Sequence, residues 1–127
     1  MTTRLMYIEL KSGYSDNGPA WIGLVTFSRT MRTIYFNNKA FGKKRGIGSN
    51  FYDIETGNEY WVSGVKKNGE DRHWAGNGKI LIDKKVIDDY LKITGDERLD
   101  KSKFEITEIK ETRDKKDFVE IENQIYE

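Results

Sequence analysis

Cysteine is absent from the 127 residues, and proline and histidine occur once each, as Pro19 and His73. Without thiols there is no cysteine nucleophile, no disulfide scaffold and no cysteine-based zinc site, and the composition suits a reducing cytoplasm. A metal site would have to be built from carboxylates, and Asp53, Glu55 and Glu59 do not follow the spacing of a calcium loop. No metal and no cofactor are therefore expected. Long apolar runs are also lacking: residues 21–27 are the longest, interrupted by Gly23 and Thr26, too short for a helical membrane span. Nothing after Met1 resembles a signal-peptide core, so the expected location is cytoplasmic, with no membrane partner. A chain of this length is one domain, able to bury a core without staples.

Charge is plentiful but unevenly placed. Residues 1–95 carry 15 Lys/Arg against 10 Asp/Glu, whereas residues 96–127 carry 7 against 11. The body is mildly basic and the tail acidic, which suits a polyanionic partner for the body and a tail that folds back over it or repels the same partner. A surface charged for solubility has the same composition.

Along the chain, strand patterns come first. Residues 5–11 alternate with Met6, Ile8 and Leu10 on the face expected to be buried. A turn-rich loop with the sole proline follows. Residues 20–28 form the strongest strand, with Trp21, Gly23, Val25 and Phe27 on one face and Ile22, Leu24 and Thr26 on the other, and Gly23 reads as a bend. A short connection at 29–31 leads to a third strand over 32–37. Residues 38–41 run into G-K-K-R-G-I-G-S, a basic, glycine-rich loop that lacks the Gly-Lys-Ser/Thr ending of a phosphate-binding P-loop. Later, a brief strand at 79–82 precedes a helix over 84–94, capped by Asp83 at its start and Gly95 at its end, with Val86, Ile87, Tyr90 and Leu91 as its apolar stripe.

Residues 51–78 concentrate turns, aromatics and chemically capable side chains. Thr56-Gly57-Asn58 is expected to close one hairpin, and Asn68-Gly69 a second, type I′, hairpin into residues 70–75. Asp71, His73 and Ser63 invite a catalytic reading, but nothing in the pattern sets Ser63 on a strained elbow or supplies an oxyanion hole, so no catalytic residue is expected. Tyr52, Tyr60, Trp61 and Trp74 intermix with Lys66, Lys67 and Arg72, the mixture with which small barrels hold single-stranded nucleic acid; the same rings could equally fill the core.

Two stretches, P-A-W-I-G-L-V-T-F-S at 19–28 and D-I-E-T-G-N-E-Y-W-V-S-G-V-K-K-N-G at 53–69, resemble a family of small uncharacterised bacterial proteins. That family shares a D-x-x-T-G-x-E-Y-W-[VI]-S-G-x-K-K-x-G hairpin, and the likeness covers roughly residues 5–93. Its members often carry the label 1-deoxy-D-xylulose-5-phosphate synthase. Such a synthase needs a G-D-G…N motif for its thiamine-diphosphate magnesium; Gly95-Asp96-Glu97 departs from it, and synthase activity is not expected.

The expected fold is mainly β: a small, strongly bent antiparallel sheet or SH3-like barrel of five or six strands, with one helix and a C-terminal extension. Residues 1–95 would form the barrel and its closing helix 83–95, and residues 96–127 a charged extension, partly ordered at most. The expected function is a binding module contacting nucleic acid through a basic and aromatic face, or alternatively an acidic protein partner; an enzyme of unassigned chemistry stands third. The candidate binding residues are Lys43, Lys44, Arg45, Trp61, Lys66, Lys67, Arg72, His73 and Trp74.

Overall fold

Six consecutive strands, each antiparallel to the one before, wind into a closed barrel because the sixth returns to pair with the first. They are β1 (Thr2–Leu10), β2 (Ala20–Phe27), β3 (Thr33–Phe36), β4 (Lys39–Lys43), β5 (Phe51–Asp53) and β6 (Glu59–Gly64). This computed structural model of the chain describes residues 2–13, 18–69, 71 and 78–109. Two further strands extend the sheet outside the barrel. β7 (Ile80–Asp83) runs parallel to the first half of β2 and β8 (Phe104–Thr107) parallel to β7. Between them lie a 3-10 turn, Lys84–Val86, and the helix α1 (Ile87–Thr94), the one α-helix among the described residues.

Alternation on the strands produces two large cores, beside a small cluster of Tyr35 and Ala40 backed by Ile54. Ile8, Val25, Phe27, Ile34, Phe36, Phe41, Phe51, Tyr60 and Val62 fill the barrel, joined by Ile109 from beyond β8. The opposite faces of β1 and β2 present Tyr7, Ala20 and Ile22 to a second core, completed by Ile80, Ile82, Val86, Tyr90 and Phe104. The expected inward face of β1 is thus the observed one, and the apolar residues read on both faces of β2 are shared between the two cores, although Leu24 is exposed. α1 lies on this side annex. Asp83 accepts from the Lys85 N–H at 3.1 Å and so caps the 3-10 turn with which the expected helix begins, and Gly95 takes the left-handed conformation while its N–H reaches Leu91 O at 2.8 Å, closing α1 as expected. Of the expected stripe, Val86 and Tyr90 are buried, and Ile87 and Leu91 are half-buried.

Three expectations need correction. Residues 39–43 are a strand, not the start of a loop. The type I′ hairpin turn is Asn37–Asn38, with φ of 50° and 60°, which joins β3 to β4; Asn68 is not among the positive-φ residues. Instead, the Gly69 N–H donates to Lys66 O at 3.1 Å, closing a turn over residues 66–69 with glycine at its last position. Gly23 also leaves room for its neighbours: a Cβ there would lie 2.8 Å from Ile109 Cδ1 and 2.9 Å from the Phe36 ring. The extension expected after residue 95 supplies β8 and Ile109, and so belongs to the fold at least to that point.

Candidate functional site

The β2–β3 and β4–β5 connections meet at one end of the barrel, where the Lys43 N–H donates to Arg32 O at 2.9 Å. The first connection is held tight by Ser28. Its carbonyl accepts from the Met31 N–H at 3.0 Å and its hydroxyl from the Thr33 N–H at 3.2 Å, while Met31 adopts φ of 62°. Thr30, Met31 and Arg32 project from it. The second connection, residues 44–50, is anchored by Asn50, whose side chain donates to Val62 O at 2.7 Å and accepts from the Val62 N–H at 2.8 Å. In this way one side chain continues the sheet pairing where the backbone leaves it.

Between these connections lies a cleft of ≈ 460 Å³ lined by Thr30, Met31, Arg32, Gly42, Lys43, Lys44, Arg45 and Tyr52. Gly42 makes room for the Tyr52 ring. Tyr52 stands beside Gly42 on the neighbouring strand, and a Cβ at that glycine would meet the Tyr52 ring at 2.7 Å. Four of the eight lining residues are cations and none is a carboxylate. Lys44 is committed: its Nζ donates to Ser49 Oγ at 3.1 Å and pairs with Glu59 Oε1. Lys43 and Arg45 make no ion pair among the described residues.

Of the nine residues singled out from the sequence, Lys43, Lys44 and Arg45 line this cleft, and Trp61, Lys66 and Lys67 do not. Trp61 is on the outer face of β6 at 38 % exposure, opposite Glu9. That carboxylate is buried yet compensated: the Tyr7 hydroxyl donates to Oε1 and Lys11 Nζ pairs with Oε2 at 2.7 Å. Lys66 and Lys67 belong to the turn after β6, where the Lys66 N–H donates to Asp71 Oδ1 at 2.8 Å. Arg72, His73 and Trp74 lie outside the described residues. Arg32 and Met31 were missed, yet a signal for this wall exists: residues 17–52 contain Arg29, Arg32, Lys39, Lys43, Lys44 and Arg45 and no Asp or Glu.

The cleft offers cationic side chains and an aromatic ring, which are means of binding. Ser63 pairs with Tyr7 of β1 and Asp71 Oδ1 accepts from the Lys66 N–H, while His73, the base that would join them, lies outside the described residues. Among the described residues no group of three or more His, Cys, Asp or Glu is placed to hold a metal ion, and no helix is long and apolar enough to cross a membrane. No family model, curated protein or solved structure matches the chain.

Proposed function

We propose that this protein is a small non-enzymatic binding module that holds single-stranded nucleic acid at the basic end of its barrel. The observation that carries this reading is the cleft between the β2–β3 and β4–β5 connections, with cations on its lining and no carboxylate. Phosphates are attracted by convergent Lys and Arg, and Lys43 and Arg45 have no competing ion pair among the described residues. The Tyr52 ring beside Gly42 supplies a surface on which a base can stack, an interaction tolerant of sequence. The hairpin pattern at 53–69 supports placing the chain with the small bacterial family it resembles, and the proposed setting is the cytoplasm.

An acidic protein segment is the second reading, favoured by apolar groups next to the cations: Met31 is exposed within the cleft and Ile47 stands fully exposed on the 44–50 connection. Fluorescence anisotropy of a labelled oligothymidylate, measured across a salt series, separates the two. Binding through phosphates gives an affinity that falls linearly with salt on logarithmic axes, and Lys43→Ala/Arg45→Ala should make that slope shallower by about 1.4, two contacts at about 0.7 each. Lys66→Ala/Lys67→Ala should leave it unchanged. If neither single- nor double-stranded DNA or RNA binds at low salt, the nucleic-acid reading falls and the acidic-protein reading takes its place.

A further inference from the structure

Trp61 lies outside the basic cleft but on the same face of the sheet as Tyr52, the ring on the cleft's lining. Tyr52 pairs in register with Glu59, and Trp61 stands two residues further along β6. Residues paired across a ladder share a face, as do residues two apart on one strand, so Tyr52, Glu59 and Trp61 all project outward. Phe51, Tyr60 and Val62, which alternate with them, fill the barrel. The 44–50 connection that walls the cleft reaches as far as this ring: it ends at Asn50, whose side chain holds both backbone groups of Val62, the residue after Trp61. Trp61 remains 38 % exposed, so its side chain is reachable from solvent.

Charge along this face does not bar a polyanion. Glu59 lies between the two rings, and Lys44 Nζ pairs with it. Across from Trp61 on β1 is Glu9, which is 5 % exposed and met by Lys11 Nζ at 2.7 Å and by the Tyr7 hydroxyl. Each carboxylate beside the rings thus has its own cation. The spacing of the rings sets the form of the ligand. Diagonal neighbours on a sheet have Cα atoms about 7–8 Å apart, and the Tyr52 ring leans the other way, over Gly42. Neighbouring bases in a duplex rise by only about 3.4 Å and cover each other's faces, so only an extended single strand can lay neighbouring bases on both rings.

We propose that Trp61 is a second base-stacking position: a single strand held by its phosphates at Lys43 and Arg45 lays one base on Tyr52 and the next on Trp61, crossing the Lys44–Glu59 pair between them. This rests on the nucleic-acid reading of the cleft, and adds to it a minimum ligand, two unpaired nucleotides, and a path across β5 and β6. Stacking is tolerant of sequence, so the second ring selects unpaired over paired strands rather than one base over another.

The test uses the full chain and two labelled probes, an oligothymidylate and an abasic strand of equal length and phosphate count. Trp61→Leu should weaken the oligothymidylate about tenfold and leave both its salt slope and the abasic strand's affinity unchanged, because it removes a ring and no phosphate contact. Trp61→Phe should restore most of that loss, whereas Lys43→Ala/Arg45→Ala should weaken both probes. Should Trp61→Leu fail to fold, fluorescence answers in its stead: Trp21→Phe/Trp74→Phe leaves Trp61 as the sole tryptophan, and its emission should be quenched saturably by the oligothymidylate and not by the abasic strand. Oligothymidylate binding that needs Lys43 and Arg45 but is unmoved by Trp61→Leu, equal weakening of both probes by that variant, or unquenched Trp61 emission overturns the second stacking position and leaves the cleft reading standing. Absence of binding to either probe at low salt overturns both.

Discussion

The barrel interior and the annex core share two strands but are built by different means. Every pairing in the barrel except its closure joins neighbouring strands, and its lining is dominated by Phe27, Phe36, Phe41 and Phe51. In the annex the pairings are parallel and distant: Trp21 pairs with Leu81, 60 positions later, and Ile82 with Ile106. Its core holds the hydroxylated rings Tyr7 and Tyr90. The dependence is also unequal. Tyr7, Ala20 and Ile22 of the annex core belong to barrel strands, whereas the segment after β8 returns only Ile109 to the barrel core. A closed meander can bury its own apolar face, whereas two parallel strands and an eight-residue helix bury theirs only against a wall already present.

The largest effect expected from this contrast is Phe41→Ala, at about 3–5 kcal/mol in urea unfolding, against about 2–5 kcal/mol for Ile82→Ala. Hydrogen exchange should show Phe41→Ala lowering protection in both regions. Loss confined to the barrel would show that the annex holds itself together. Next in size, Gly23→Ala should destabilise by about 1–3 kcal/mol through overpacking against Ile109 and Phe36. Combining it with Ile109→Ala should recover part of that loss, and strict additivity would show that the segment after β8 does not plug the barrel. Gly95→Ala, which forces a side chain into the left-handed cap of α1, should follow at about 1–2 kcal/mol, read as a lower thermal midpoint.

The smallest effect concerns Asp71. Burial, partly opposed by the Lys66 N–H and the Lys66 charge, raises its carboxyl above the ordinary aspartate value. The folded state therefore binds the proton more tightly than the unfolded state, so Asp71 favours folding most below the unfolded value. That contribution declines as pH rises through the folded value. Asp71→Asn should accordingly match or slightly exceed the parent stability at neutral pH, and its advantage should vanish at about pH 3, below the ordinary value. An advantage that instead grows on acidification would contradict this.

The two regions were unequally legible. On β1 the inward face follows from alternation, and Asp83 and Gly95 mark by their chemistry the start of the 3-10 turn and the end of α1. β4 was hidden because Lys39-Ala40-Phe41-Gly42-Lys43 has one large apolar side chain and a glycine. Its extended form is imposed by β3 and β5, which pair with Gly42 from both sides. Asn37–Asn38 does the work usually signalled by Asn-Gly. As for the site, the run Lys43–Lys44–Arg45 is visible in one dimension, but Arg32 joins it only through the β3–β4 pairing. Trp61 shares the outer face with Tyr52, two residues beyond Tyr52's register partner Glu59, yet it does not line the cleft, and Lys66 comes after β6 has ended. The pull of a buried outer face on β1 and β2 is not readable locally, because its cover comes from residues 80–104.

β2 has a consequence for fidelity. Its odd positions Val25 and Phe27 fill one core and its even positions Ala20 and Ile22 the other, so a slip of a single residue against β1 reverses both assignments at once. Leu24 and Thr26 would then point into the barrel while Val25 and Phe27 faced outward. The strand thus acts as a parity check, in which each core rejects the misregistered pairing that the other would also reject. Misfolded hairpins of β1 and β2 are penalised twice, and a chain that has passed the check has committed the annex and the barrel to the same alignment.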